Sequence, residues 1–197
     1  MTMLGIVNRA FECFLSDTYG AAWKDIAQAL DLGSPSFEAL LSYEDEITWR
    51  LISEAEARIG KPRDELLEDL GIYLVSHPRY APLRRLLRFA GVTFEDFLLS
   101  VGELPDRSRL ALPDLHLPPI RVHATGADSF EIWCGPGLPG FSQVLAGCLR
   151  AMADDYGALV TLASVPGGEC GAARIDVMLH TARHSNGRSF RLAAPSA

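Results

Sequence analysis

Residues 93–122 read TFEDFLLSVGELPDRSRLALPDLHLPPIRV, and the fold class turns on how this stretch divides. Its opening is helical in pattern. Thr93 suits an N-cap, Asp96 takes the capping-box position three residues on, and Phe94, Phe97 and Leu98 recur at helical spacing. Past Pro105 the texture changes: Pro113, Pro118 and Pro119 interrupt the chain, and Ile120-Arg121-Val122-His123 opens a β-rich series. A helical part followed by strand–strand–helix–strand–strand predicts an α+β fold.

Working back from Thr93, apolar residues keep helical spacing to the N-terminus. Leu4, Val7, Phe11, Phe14 and Leu15 share a face, with Gly20 as a stop. Trp23, Ile26, Ala27 and Leu30 make a second stripe closing at Gly33, and Ile47, Leu51 and Ile52 a third ending at Gly60. The acidic run Glu44-Asp45-Glu46 reads as a helix start that meets the positive end of the dipole. Pro62 suits a first turn ahead of Leu66, Leu67, Leu70 and Leu74, and His77-Pro78 should end that helix. Leu83, Leu86, Leu87 and Phe89 follow, then Gly91.

Forward from Pro119, Ile120–His123 and Phe130–Cys134 read as strands paired across Gly126-Ala127-Asp128. Phe141–Tyr156 is helical, with Val144, Leu145, Cys148, Leu149 and Met152 on one face. Leu159–Val165 and Ala173–Leu179 form a second strand pair around Pro166-Gly167-Gly168, and the polar tail 185–197 is expected to be frayed or weakly paired. One domain over 1–184 is expected, with a helical lobe of about 1–105 and an α/β lobe of about 106–184.

Composition narrows the function. The 197 residues carry 18 basic and 25 acidic side chains, a formal charge of −7, which argues against unspecific nucleic-acid binding. Hydrophobic residues make up 48%, enough for an ordinary core, yet no apolar run approaches the roughly 20 residues of a membrane span. The N-terminus lacks a basic region followed by an apolar run, so a cytoplasmic protein is expected. Cys13, Cys134, Cys148 and Cys170 are too scattered for a zinc site or a disulfide framework and read as free, mostly buried thiols. No HExxH, Walker-type or GxSxG motif is present, so a non-enzyme is expected.

Two local features have double readings. Arg79, Arg84, Arg85 and Arg88 form a basic cluster in an acidic chain, either a solvated helix face or an anchor for an anionic ligand or acidic partner. Gly135-Pro136-Gly137 with Pro139-Gly140 superficially resembles a phosphate loop, but it has no lysine and reads better as a turn into the Phe141 helix.

The order of landmarks resembles the haem-nitric-oxide/oxygen-binding (H-NOX) family, which includes the sensor domain of soluble guanylate cyclase and bacterial stand-alone gas sensors. The carriers are Leu4-Gly5-Ile6-Val7-Asn8, Tyr19-Gly20 with Trp23, Asp64-Glu65-Leu66-Leu67 with Leu70-Gly71, Phe94-Glu95-Asp96-Phe97-Leu98, and Leu112–Pro119. The resemblance covers Met1 to about Leu179 and implies a helical lobe and an α/β lobe with haem between them. It also implies two haem motifs that this chain lacks. Leu104-Pro105 stands where the family has leucine followed by the proximal histidine. Cys134-Gly135-Pro136-Gly137-Leu138 stands where the family has Tyr-x-Ser-x-Arg, which clamps the propionates.

By the same resemblance, Ile6, Tyr73, Leu74, Pro105, Pro119, Cys134, Pro136 and Leu138 are pocket positions. Pro119 matches the proline that presses on the cofactor face. His77 and Cys134 are weak candidates for a substitute metal ligand, with His116 and His123 as further histidines to weigh. The expected function is a signalling sensor of the haem/gas-sensing type, its haem either atypically ligated or lost, with a small hydrophobic ligand as another occupant. The alternative is a haem-free regulatory interaction module on the same fold. Either implies an output partner such as a kinase or cyclase.

Overall fold

The computed structural model describes residues 2–31, 36–138, 140–167 and 172–188. Expectations at Gly33, Pro139, Gly168, Cys170 and most of the polar tail fall outside these residues. The chain divides into two compact units, Met1–Leu70 and Gly71–Ala197.

In the first unit, β1 (Thr2–Leu4) pairs antiparallel with β2 (Ser42–Glu44). Helix α1 (Gly5–Leu30) is a single run with a kink at Tyr19, where φ −124° and ψ 32° leave the helical region. The break expected at Gly20 is therefore a bend, not an end. The Tyr19 ring meets Phe14 edge-on at 5.8 Å, and helical backbone then resumes. Helix α2 (Asp45–Ile59) starts on the expected acids and stops on Gly60 at φ 71°. Helix α3 (Arg63–Ser76) contributes Leu66, Leu67 and Leu70 to this unit. Phe11, Phe14, Leu15 and Ile26 of α1 are buried, as are Leu51, Ile52 and Ala55 of α2, and the two helices pack together.

The second unit takes up α3 at Gly71. After His77 come a short 3-10 turn (Pro78–Tyr80), α4 (Ala81–Arg88) and α5 (Phe94–Ser100). Another 3-10 turn (Val101–Glu103) leads into α6 (Leu104–Ala111). Helix α6 replaces the break in texture expected past Pro105. Proline is tolerated in a first turn, whose N–H groups have no helical partner anyway.

Strands β3 (Ile120–Ala124), β4 (Ser129–Cys134), β5 (Leu159–Gly167) and β6 (Ala172–Thr181) form an antiparallel sheet in the order β3-β4-β6-β5. The register pairs Phe130 with Val177 and Ile132 with Ile175, so these buried residues share a face. They join Leu145, Leu149 and Met152 of α7 (Phe141–Tyr156) and Phe94, Phe97 and Leu98 of α5 in one core. The start of the tail is tied to the end of α7: the backbone N–H groups of His184 and Ser185 donate to Gly157 O, and that of Arg188 to Asp155 O. The α+β class predicted from the change of period is the one found.

Candidate functional site

Pro105 is set in place by the capping box that begins α5. Thr93 Oγ1 accepts from Asp96 N–H at 3.1 Å, and Asp96 Oδ2 accepts from Thr93 N–H at 3.0 Å. Those bonds hold Asp96 charged, its carboxyl below the usual 3.8. Seven residues of helix and one 3-10 turn then bring Pro105 to the first turn of α6, where it is buried. A pyrrolidine ring has no donor atom, so this position can pack but cannot ligate.

The Cys134–Leu138 segment closes on the preceding linker. Gly135 N–H donates to Pro119 O at 2.8 Å, and a Cβ at Gly135 would lie 2.6 Å from Pro119 Cγ, closer than side chains tolerate. Glycine is therefore needed there for close approach. Cys134 is buried, and burial pushes its thiol up to about 11. Pro119 and Pro136 are exposed and Leu138 is half-buried. The geometry thus brings Pro119 together with Cys134-Gly135, while none of Pro136, Gly137 and Leu138 offers a hydroxyl or a cation to a carboxylate.

The histidines are engaged locally or exposed. His77 caps the Pro78–Tyr80 turn, its Nδ1 accepting from Arg79 N–H at 3.3 Å, and its ring stacks on Tyr73 at 4.6 Å. His116 Nδ1 lies 3.0 Å from Asp114 O, and His123 is exposed on β3. Tyr73 is buried and Leu74 half-buried on α3, while Ile6 is half-buried on α1 in the first unit. Among the described residues no three or more His, Cys, Asp or Glu side chains gather as a metal site.

Neither reading of the basic cluster holds for Arg84 and Arg88. Arg84 Nε donates to Asp155 Oδ1 at 2.6 Å, and Arg88 Nε lies 3.5 Å from Oδ2 of the same carboxylate. The Arg88 guanidinium also stacks 3.4 Å from the Tyr156 ring centroid, and Tyr156 OH donates to Gly91 O at 2.8 Å. Two of the four arginines are thus internal fasteners between α4 and α7. The sequence marks them as an i,i+4 pair, but Asp155 carries no local sign of its role. Buried polar groups of the first unit, such as Thr48 donating to Asn8 at 2.7 Å, were equally unannounced.

With this architecture in view, comparison with known proteins is decisive. A model of the haem-NO-binding family matches residues 4–163. The chain belongs to that family. This H-NOX domain is 23% identical over 155 residues to soluble guanylate cyclase 89Db of Drosophila melanogaster and 20% identical over 154 residues to soluble guanylate cyclase gcy-31 of Caenorhabditis elegans. Each match covers 78% of this chain but only 23% and 22% of the cyclases, so the chain spans about a quarter of those relatives.

Among solved structures, an Fe(II) unliganded H-NOX mutant from K. algicida superposes with TM-score 0.78 at 18% identity, over 90% of this chain and 97% of that one. A T. Tengcongensis H-NOX mutant gives 0.75 at 14%, over 91% and 99%. Those structures establish the fold: the chain is an H-NOX domain related to the haem- and gas-sensing domains of soluble guanylate cyclases. No helix among the described residues is long and apolar enough to cross a membrane.

Proposed function

We propose that this H-NOX domain regulates a signalling partner without a histidine-ligated haem. One observation carries the reading: Pro105, at the family's ligand position by the resemblance, is buried in the first turn of α6 and has no donor atom. The neighbouring candidates do not replace it. Cys134 is buried, and burial disfavours the thiolate that a metal would need, pushing the thiol up to about 11. His77 already uses Nδ1 as a cap acceptor. Propionates would find no arginine fork between Cys134 and Leu138. These residues do not fit the group that the family name implies.

The similarity to soluble guanylate cyclases makes a cyclase one kind of output partner, and a kinase is the other that the resemblance suggests. A cytoplasmic setting goes with the thiols Cys134 and Cys148, neither of them in a disulfide. The test is the absorption spectrum of protein purified after expression with added haem precursor. No Soret band and no haem in the pyridine haemochromogen assay is the expected result. A Soret band at one haem per chain overturns the reading, and its shift in Cys134→Ser or His77→Ala would identify an atypical ligand.

A further inference from the structure

Helix α4 is apolar on two sides. Inward, Leu87 is buried and Leu83 packs against the core, while Arg84 and Arg88 reach Asp155. Outward, Pro82, Arg85, Leu86 and Phe89 line an open depression, with Leu86 61% and Phe89 66% exposed. Positions 82, 85, 86 and 89 are i, i+3, i+4 and i+7, the spacing with which a helix presents one face to another helix. Packing of the unit's own core does not account for this second stripe, because the core uses the opposite side of the helix.

Charge decides what would cover it. Helix α4 contains three arginines and no acid, and Asp155, a carboxylate that meets it, faces two of them. Arg85 makes no side-chain hydrogen bond or ion pair among the described residues. Arg107 adds a further cation beside the patch by donating to Leu86 O at 3.1 Å. The patch is therefore locally cationic on a chain whose net charge is −7. An acidic partner is repelled by the molecule at large and attracted here, which orients the encounter.

We infer that the outer face of α4 is a docking surface for one amphipathic helix of a partner protein, apolar toward Leu86 and Phe89 and acidic toward Arg85. The contact is small, of the transient signalling kind. It presupposes that the domain acts through a partner, as proposed above, but does not depend on the haem state. The Soret measurement and the binding measurement therefore fail separately.

The test uses the whole chain and two fluorescein-labelled model peptides. Both are helix-forming with leucines on one face; one carries glutamates on the other face and its twin carries lysines. In an anisotropy titration, wild type should bind the glutamate peptide at least about tenfold more tightly than the lysine peptide. Arg85→Glu should reverse that order, and Phe89→Ser should lower binding of the glutamate peptide about tenfold, with thermal midpoints near wild type as the folding control. Equal binding of the two peptides, no binding of either, or an Arg85→Glu variant that keeps the wild-type order overturns the inference. A dimer in light scattering that Phe89→Ser dissolves also overturns it, since the face would then belong to a second copy.

Discussion

Arg84 and Asp155 stand 71 positions apart in the chain and meet at 2.6 Å, with the carboxylate 1% exposed. Arg88 approaches the same carboxylate at 3.5 Å, so one buried acid answers two cations and ties α4 to the last turn of α7. Removing the acid leaves both guanidiniums facing a neutral group in a mostly desolvated site. Breaking a buried pair in this way costs roughly 3–5 kcal/mol, and the partial exposure of the arginines lowers the expectation for Asp155→Asn to about 3 kcal/mol. The urea midpoint should fall with the slope unchanged. An unchanged midpoint would show that the pair is energetically idle.

Gly71 and Gly20 should respond to alanine with opposite signs. A Cβ at Gly71 would run into the Val144 carbonyl oxygen and sit 2.8 Å from Cys148 N, both backbone atoms of α7 that cannot swing aside. Such overpacking costs about 1–3 kcal/mol, so Gly71→Ala should lower the unfolding midpoint clearly. At Gly20 nothing lies within 4 Å, and alanine there should leave stability unchanged or raise it by up to about 1 kcal/mol through the lost freedom of the unfolded chain. Thermal melts of the two variants check the contrast. Equal shifts would refute the close approach of α3 to α7.

Burial holds the Cys134 thiol near 11 and the Cys148 thiol near 12, above the ordinary 9. Both should resist iodoacetamide at mildly alkaline pH in the native protein and react after denaturation, as peptide mass spectrometry would read out. The linkage has a definite sign. Unfolded thiols lose their protons near 9 and native ones only near 11 and 12, so the unfolded state binds fewer protons over that interval. Stability should therefore fall as pH rises above 9, and Cys148→Ala should flatten the fall. Rapid native labelling of either thiol contradicts the burial.

Asp96 is the acid-side counterpart. Its folded value lies below 3.8 because the backbone N–H and the hydroxyl of Thr93 favour the charged carboxylate. The stabilisation is fully present above 3.8 and is lost as pH falls through the lower folded value. Asp96→Asn should thus narrow the stability difference between mildly acidic and strongly acidic buffer. Thr93→Ala removes the cap acceptor and should cost about 1 kcal/mol at neutral pH. Identical acid profiles for wild type and Asp96→Asn would remove the capping box from the account.

Legibility followed the range of each interaction. The limits of α2 and α7 and the start of α5 could be read because Gly60, the Phe141–Tyr156 stripe and the Thr93–Asp96 box act within one or two turns. Helix α6 was missed because Pro105 is its one buried residue, and a helix without an apolar stripe has no period to detect. Strands β1 and β2, at three residues each, are too short to show alternation. At the candidate site, the donorless residues Pro105, Pro136 and Leu138 could be read from order and identity. The contact of Gly135 with Pro119 could not.

What the sequence determined alone was the α+β class, the kinship with haem-NO-binding domains and the absence of side-chain donors at positions 105, 136 and 138. These depend on residue type and short-range order, which no folding event alters. Only the tertiary structure decided the fate of the basic cluster. Arg84 and Arg88 turn inward because Asp155, brought up by α7 from 71 residues away, compensates charge that could not otherwise leave water. Arg85, about 100° around the same helix from Arg84, meets no such acid among the described residues and stays on the surface with Leu86 and Phe89. Helix rotation set which arginine faced which way; a distant carboxylate made the difference matter.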